Sequence, residues 1–290
     1  MMTDQRLLLL VFNTIQTSPH PQFAMTPNAE PSTQAAPNMT PEYEVKLLLK
    51  PTAVLGPEKE LKSTVLSAFD MPPSITKQSI QFLDTDSKDI YTAGWSPRIR
   101  KTENDGGLEL TYKKRYTIVG GDIDAALNTA NNDGFDASDV RYEAQVEWGY
   151  QKQTLSISRK KKVAESTNSE MDLPGESNSR AMLIDEAPDK FDDWQGNNWG
   201  TRKLEESRIF GPVRAKRSVG KWEGMRLYIE VWPIGQRAST EIDYLVEASF
   251  KTESRMTASA KHDSFISYLQ DKCWFLCKDS LKTQLIMDRY

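Results

Sequence analysis

Charge recurs at every second residue in several short segments of this chain, and that spacing constrains the fold more than any other feature. Successive side chains on a β-strand point to opposite faces. In residues 42–49, Glu42, Glu44 and Lys46 therefore share one face, with Tyr43, Val45, Leu47 and Leu49 on the other. Arg98 and Arg100 share a face against Ile99, and Glu109, Thr111, Lys113 and Arg115 share one against Leu108, Leu110, Tyr112 and Tyr116. Arg141, Glu143, Gln145 and Glu147 form a fourth such face; Arg226, Tyr228, Glu230 and Trp232 a fifth; Glu247, Ser249 and Lys251 a sixth. An ordinary half-buried sheet also alternates, with its polar face in water. Here, however, arginine pairs and glutamate pairs recur at spacing two, and like charges so placed repel mildly. They point to a ligand of opposite sign. If the apolar faces pack under helices, the charged faces line a lumen, and only a highly charged ligand offsets that desolvation.

The rest of the chain fits a barrel-sized set of elements. Strands are expected at Glu42–Leu49, 79–84, 96–101 and Leu108–Ile118, with Gly106-Gly107 as a turn between the last two. A strand at 140–148 with a hairpin partner at 154–162 follows, then strands at 209–218, 225–232 and 242–251. Helical spacing marks 57–69 and 256–277, and a shorter element follows Lys278. Residues 119–138, rich in Gly, Asn and Asp, read as a loop. About eight strands with helices at the edges suit a closed barrel. The fold expected is α+β and mainly β: an eight-stranded antiparallel closed β-barrel, or tunnel, with flanking helices.

Two segments stand apart. Residues 1–40 read as a disordered leader, because Pro, Ser, Thr, Asn and Ala dominate from about 17 and cannot bury a core. The apolar run at 7–12 is too short to cross a bilayer and lacks a clear cleavage site. Residues 163–200, polar and acidic with Pro174, Gly175, Pro188 and Gly196, read as a disordered insertion in a domain spanning 41–290.

A formal net charge of -4 provides no electrostatic case for general nucleic-acid binding, so any cationic site must be local. Cys273 and Cys277 lie four apart in a helical pattern and make neither a framework disulfide nor, with only two histidines, a good zinc site. That usage fits a reducing compartment; the address expected is cytoplasmic, with nuclear and mitochondrial as the alternatives.

Glu42-Tyr43-Glu44-Val45-Lys46 resembles the Glu-x-Glu-x-Lys signature of the CYTH family, the triphosphate tunnel metalloenzymes. It is followed in order by Phe82-Leu83-Asp84-Thr85, by Ala93-Gly94-Trp95-Ser96-Pro97-Arg98-Ile99-Arg100 and by Glu109-Leu110-Thr111-Tyr112-Lys113, each similar to a family strand. Arg141-Tyr142-Glu143, Lys216-Arg217 and Glu230 continue the series to about residue 251. One departure is clear: where the family's late strand commonly carries Glu-x-Glu, this chain has Glu247-Ala248-Ser249.

The resemblance implies a tunnel that binds a triphosphate together with Mg²⁺ or Mn²⁺. Lys46, Arg98, Arg100, Lys113, Arg115, Arg141 and Arg217 are the phosphate-binding candidates, with Lys216 included because spacing leaves open which of Lys216 and Arg217 faces inward. Lys46 and Arg217 are the candidate catalytic residues. Glu42, Glu44, Glu230, Glu247 and Glu143 are the candidate metal ligands. The activity implied is metal-dependent hydrolysis of inorganic or organic triphosphate, a small-molecule substrate, with no membrane partner and no nucleic acid beyond an RNA 5′-triphosphate end. A non-catalytic polyphosphate- or nucleotide-binding module and a CYTH-type adenylyl cyclase are the alternatives. Ser249 favours the first of these.

Overall fold

A computed structural model describes residues 36–164, 171–236, 239–279 and 281–290. Its strands are β1 (Glu42–Leu49), β2 (Thr76–Asp84), β3 (Trp95–Thr102), β4 (Leu108–Ile118) and β5 (Glu143–Trp148). They continue with β6 (Gln153–Val163), β7 (Arg208–Trp222), β8 (Met225–Gln236) and β9 (Ser239–Thr252). The helices are α1 (Pro51–Val54), α2 (Ser63–Ala68), α3 (Asp89–Thr92), α4 (Ile123–Asn132) and α5 (Glu176–Asp185). After them come α6 (Asp189–Asp192), α7 (Trp199–Glu205), α8 (Arg255–Asp271) and α9 (Lys282–Arg289).

Among the described residues the strands close into one barrel in the order β1-β5-β6-β4-β3-β2-β7-β8-β9, with β9 pairing back onto β1. The barrel has nine strands rather than the eight expected, and it is not wholly antiparallel. β1 runs parallel to β5, Glu44 beside Glu147. A parallel neighbour needs a long connection, and here the chain makes β2, β3 and β4 before β5 returns to β1.

The apolar faces point outward and the helices cover them. Val45, Leu47 and Leu49 on β1 are buried, as are Leu110 and Tyr112 on β4 and Leu227 and Ile229 on β8. On one side α8 presents Phe265 and Leu269, both fully buried, and Phe265 lies 4.5 Å from Trp222 between ring centroids. On another, Phe191 of α6 packs edge-on against Trp95 of β3 at 5.3 Å and meets Trp199 of α7 at 6.0 Å. Each such side chain, once buried, contributes roughly 1.5–3 kcal/mol. The main core is therefore a shell outside the barrel, and the inner faces carry mostly polar residues, with Ile80, Phe82 and Trp232 among them.

Helices appear where loops were expected. Ile123, Ala126, Leu127 and Ala130 bury one face of α4, and the Asp122 side chain caps it by accepting from the Ala125 amide at 2.9 Å. The i, i+3, i+4, i+7 spacing was present but lay inside Gly- and Asn-rich sequence. Residues 171–200 are likewise not a disordered insertion; they hold α5 and α6 and begin α7, whose aromatic residues cover β3 and β4. Residues 165–170 lie outside the described residues, as do 1–35 of the expected leader. The last part of that leader, 36–40, packs on α4 and the turn that follows it: Asn38 bridges to Asp136, and the Asn131 amide donates to the Ala36 carbonyl at 2.8 Å.

Cys273 and Cys277 are free thiols. No helix among the described residues is long and apolar enough to cross a membrane.

Candidate functional site

The inner faces enclose a cavity of about 780 Å³. β1 contributes Glu42, Glu44 and Lys46; β3 contributes Arg98 and Arg100; β4 contributes Lys113 and Arg115. Glu143 and Glu147 enter from β5, Arg217 from β7, Glu230 from β8 and Glu247 from β9. Nine lining side chains are Lys or Arg against seven Glu, so the lumen is net positive within a net negative chain.

Two expected site residues lie elsewhere. β5 begins at Glu143, so the alternation does not extend back to Arg141. Arg141 sits in the preceding turn, 59% exposed, its guanidinium on Asp139 at 2.8 Å. The choice between Lys216 and Arg217 is resolved by register: Arg217 pairs with Glu230 across the β7–β8 ladder and faces in. Lys216 points outward to Glu60.

The lumen's charges form unequal clusters. Glu147, 3% exposed, receives Lys46 at 2.6 Å, Lys113 at 2.7 Å and the Ser156 hydroxyl at 2.9 Å. Burial would raise its pKa, but Lys113 and Lys46 outweigh burial and hold the carboxyl well below the usual range. Glu109 serves both Arg100, at 2.7 Å, and Arg98, at 3.7 Å. Arg115 donates to the Ser96 hydroxyl at 2.7 Å and to Thr283 of α9 at 3.1 Å, with no carboxylate in bonding range among the described residues.

Donors outnumber acceptors on the β3–β4 wall. The Nε–H groups of Arg98, Arg100 and Arg115 are buried and have no hydrogen-bond partner among the described residues. Burial, reinforced by the Arg100 charge, lowers the Arg98 pKa to about 10. Burial likewise lowers Lys113 to about 8, with Arg115, Arg98 and Lys46 acting in the same direction against Glu147. A buried, unsatisfied, charged donor costs several kcal/mol, and three on one wall fit a polyanion whose oxygens would accept from them.

The carboxylates fit a divalent cation poorly. Among the described residues no three His, Cys, Asp or Glu side chains converge closely enough to hold one ion. Glu42 accepts from Lys251 at 2.6 Å and from Gln145 at 3.1 Å, and Glu143 is engaged by Lys160. Glu230 and Glu247 both bind Lys282 of α9, at 2.6 and 2.8 Å, and Ser249 adds no further acid. Mg²⁺ needs an octahedron of oxygens, and these side chains as arranged do not offer one.

Glu109, Glu147 and Lys282 belong to the site and were not among the residues expected there. Glu147 had a signal, since it continues the Glu143–Gln145 face at period two. Lys282 had none, because one lysine in a short C-terminal element carries no mark of direction.

No family model and no curated protein matches the chain. Among solved structures, it is similar to a candidate adenylyl cyclase of Hippeastrum with a dominant triphosphatase activity, at 14% identity and a TM-score of 0.47, covering 84% of this chain and 94% of that one. A candidate adenylate cyclase of Bacillus halodurans is similar at 12% identity and a TM-score of 0.48, covering 87% and 98%. One from Vibrio parahaemolyticus is similar at 8% identity and a TM-score of 0.42, covering 85% and 98%.

Proposed function

We propose that this chain binds a triphosphate inside its barrel and hydrolyses it there, the substrate being inorganic triphosphate or the phosphate tail of a small organic molecule. The observation that carries the reading is the set of buried guanidinium Nε–H donors without partners on Arg98, Arg100 and Arg115. A chain of phosphates supplies closely spaced anionic oxygens, and each charge-assisted bond is worth about 1.5–3 kcal/mol net.

Arg98, Arg100 and Arg115 would hold the phosphates, with Lys113 beside them as a point charge. In phosphoryl transfer, positioning and charge neutralisation supply most of the rate enhancement. Lys46 and Arg217 keep donors beyond those given to Glu147 and Glu230, and they would stabilise charge as the anhydride bond breaks. The carboxylates among the described residues do not converge on the divalent ion that the CYTH resemblance implies.

Two measurements test the reading. Calorimetric titration with inorganic triphosphate is expected to give saturable binding that Arg98→Ala weakens. Phosphate release from triphosphate, with EDTA, Mg²⁺ or Mn²⁺, is expected to exceed the buffer rate in at least one condition. Absence of both sinks the proposal. Binding without release supports the second reading, a polyphosphate-binding module, which Ser249 and the lysine held by Glu230 and Glu247 favour. Cyclic AMP formed from ATP would move the assignment to a cyclase.

A further inference from the structure

Glu230 and Glu247 are direct partners across the β8–β9 ladder, and both side chains are almost wholly buried. Like charges directly opposite on a sheet repel, and burial removes the water that would screen them. Each oxygen of Glu230 is occupied. One takes Arg217 Nε at 2.8 Å; the other takes Lys282 Nζ at 2.6 Å and the Trp232 indole N–H at 2.9 Å. The same Lys282 ammonium reaches Glu247 at 2.8 Å and lies 4.6 Å from the centre of the Trp232 ring. With Arg217 the group is neutral: two carboxylates and two cations.

Lys282 is held in place by its helix. Ile286 and Met287 of α9 are buried against the barrel, and Arg289 binds Asp243 at 2.7 Å. The Tyr290 hydroxyl accepts from the Gly235 amide at 2.8 Å, and its carbonyl accepts from Arg208 at 2.8 Å. These contacts fix where the first turn of α9 enters the lumen.

We propose that the Lys282 ammonium is the resident cation of the Glu230–Glu247 pair, a tethered charge occupying the place where a divalent ion would otherwise bridge the two carboxylates. A divalent ion could enter only by expelling Lys282 into a lumen that is already net positive. The pair therefore has low affinity for Mg²⁺ and Mn²⁺, set by the chain itself. A further consequence rests on the triphosphate reading above: an ammonium has three donors, two are used here, and the third is available to a phosphate oxygen.

The test uses the full chain without any phosphate ligand, so it does not depend on triphosphate binding. Mn²⁺ is titrated while free ion is followed by electron paramagnetic resonance. The wild-type protein is expected to leave Mn²⁺ free up to about 1 mM, while Lys282→Met acquires a site at least about tenfold tighter. Lys282→Met/Glu247→Gln is expected to lose that site again. Equal Mn²⁺ affinity in wild type and Lys282→Met overturns the proposal, as does a folded Lys282→Met protein with no gain. The ¹⁵Nζ resonance of Lys282 in the wild-type protein supplies a readout that needs no variant. It is expected to hold its shift on addition of Mg²⁺, and displacement by Mg²⁺ also overturns the proposal.

Discussion

Arg98 and Arg100 stand two residues apart on β3 and share the carboxylate of Glu109, which lies 3.7 Å from the first and 2.7 Å from the second. One acid between two buried guanidinium groups leaves the wall under-neutralised, and Arg98, with the longer contact, bears most of the deficit. Arg98→Ala is expected to weaken triphosphate binding by about 1.5–3 kcal/mol, roughly ten- to hundred-fold in Kd. Isothermal titration calorimetry measures it. In the ligand-free protein the same change is expected to raise Tm, because it removes a repulsive charge. An unchanged Kd would remove Arg98 from the site.

Lys113 makes binding sensitive to pH. Burial lowers its pKa to about 8, so the ammonium is present below that pH and is lost as pH rises through it. Triphosphate affinity is therefore expected to fall in alkaline buffer. The ligand's own ionisation affects every variant alike, so the informative comparison is with Lys113→Met, whose profile should lack this component. Parallel profiles for the two proteins would count against it.

The acid at the centre of the other cluster has a structural duty. Glu147→Gln would leave the buried ammonium groups of Lys46 and Lys113 without their carboxylate. Breaking a buried pair in this way costs about 3–5 kcal/mol. Urea denaturation should show the loss, and added triphosphate should restore part of it by binding the freed cations.

On the outer shell, Phe265 is fully buried against Trp222, Phe69 and Phe250. Phe265→Ala is expected to cost about 3–5 kcal/mol through lost burial and the cavity left behind. Thermal unfolding of the two proteins measures it. Triphosphate Kd at a temperature where both are folded should not change, since α8 lies outside the lumen.

Arg141 provides the complementary test. Its guanidinium is on Asp139 in an exposed turn, so Arg141→Ala should leave triphosphate affinity unaltered. A loss comparable to that of Arg98→Ala would mean that the β5 entrance reorganises around the ligand.

The inward faces of β1, β3, β4, β8 and β9 were legible from period-two spacing because each of these strands runs straight through its charged residues. Arg141 was misplaced for a local reason: the pattern continues past the point where the backbone stops being a strand. Lys216 and Arg217 are adjacent, so charge alone could not orient them; the hydrogen-bond register with Glu230 does. The helices over 171–200 were hidden because their polar residues face water while a few aromatic residues, Phe191 and Trp199 among them, supply the packing. The poor fit to a divalent ion depends on Lys282 arriving from the far end of the chain, which no local pattern foretells.

The parallel pairing of β1 with β5, and its antiparallel pairing with β9, sets an order on assembly. Glu44 meets Glu147 about a hundred residues later and Lys251 about two hundred later, so neither edge of β1 can be secured early. Contacts this distant slow folding. A ribosome must release the chain through β9 before β1 is locked between its neighbours, and until then the ring stays open with its acids and bases in water.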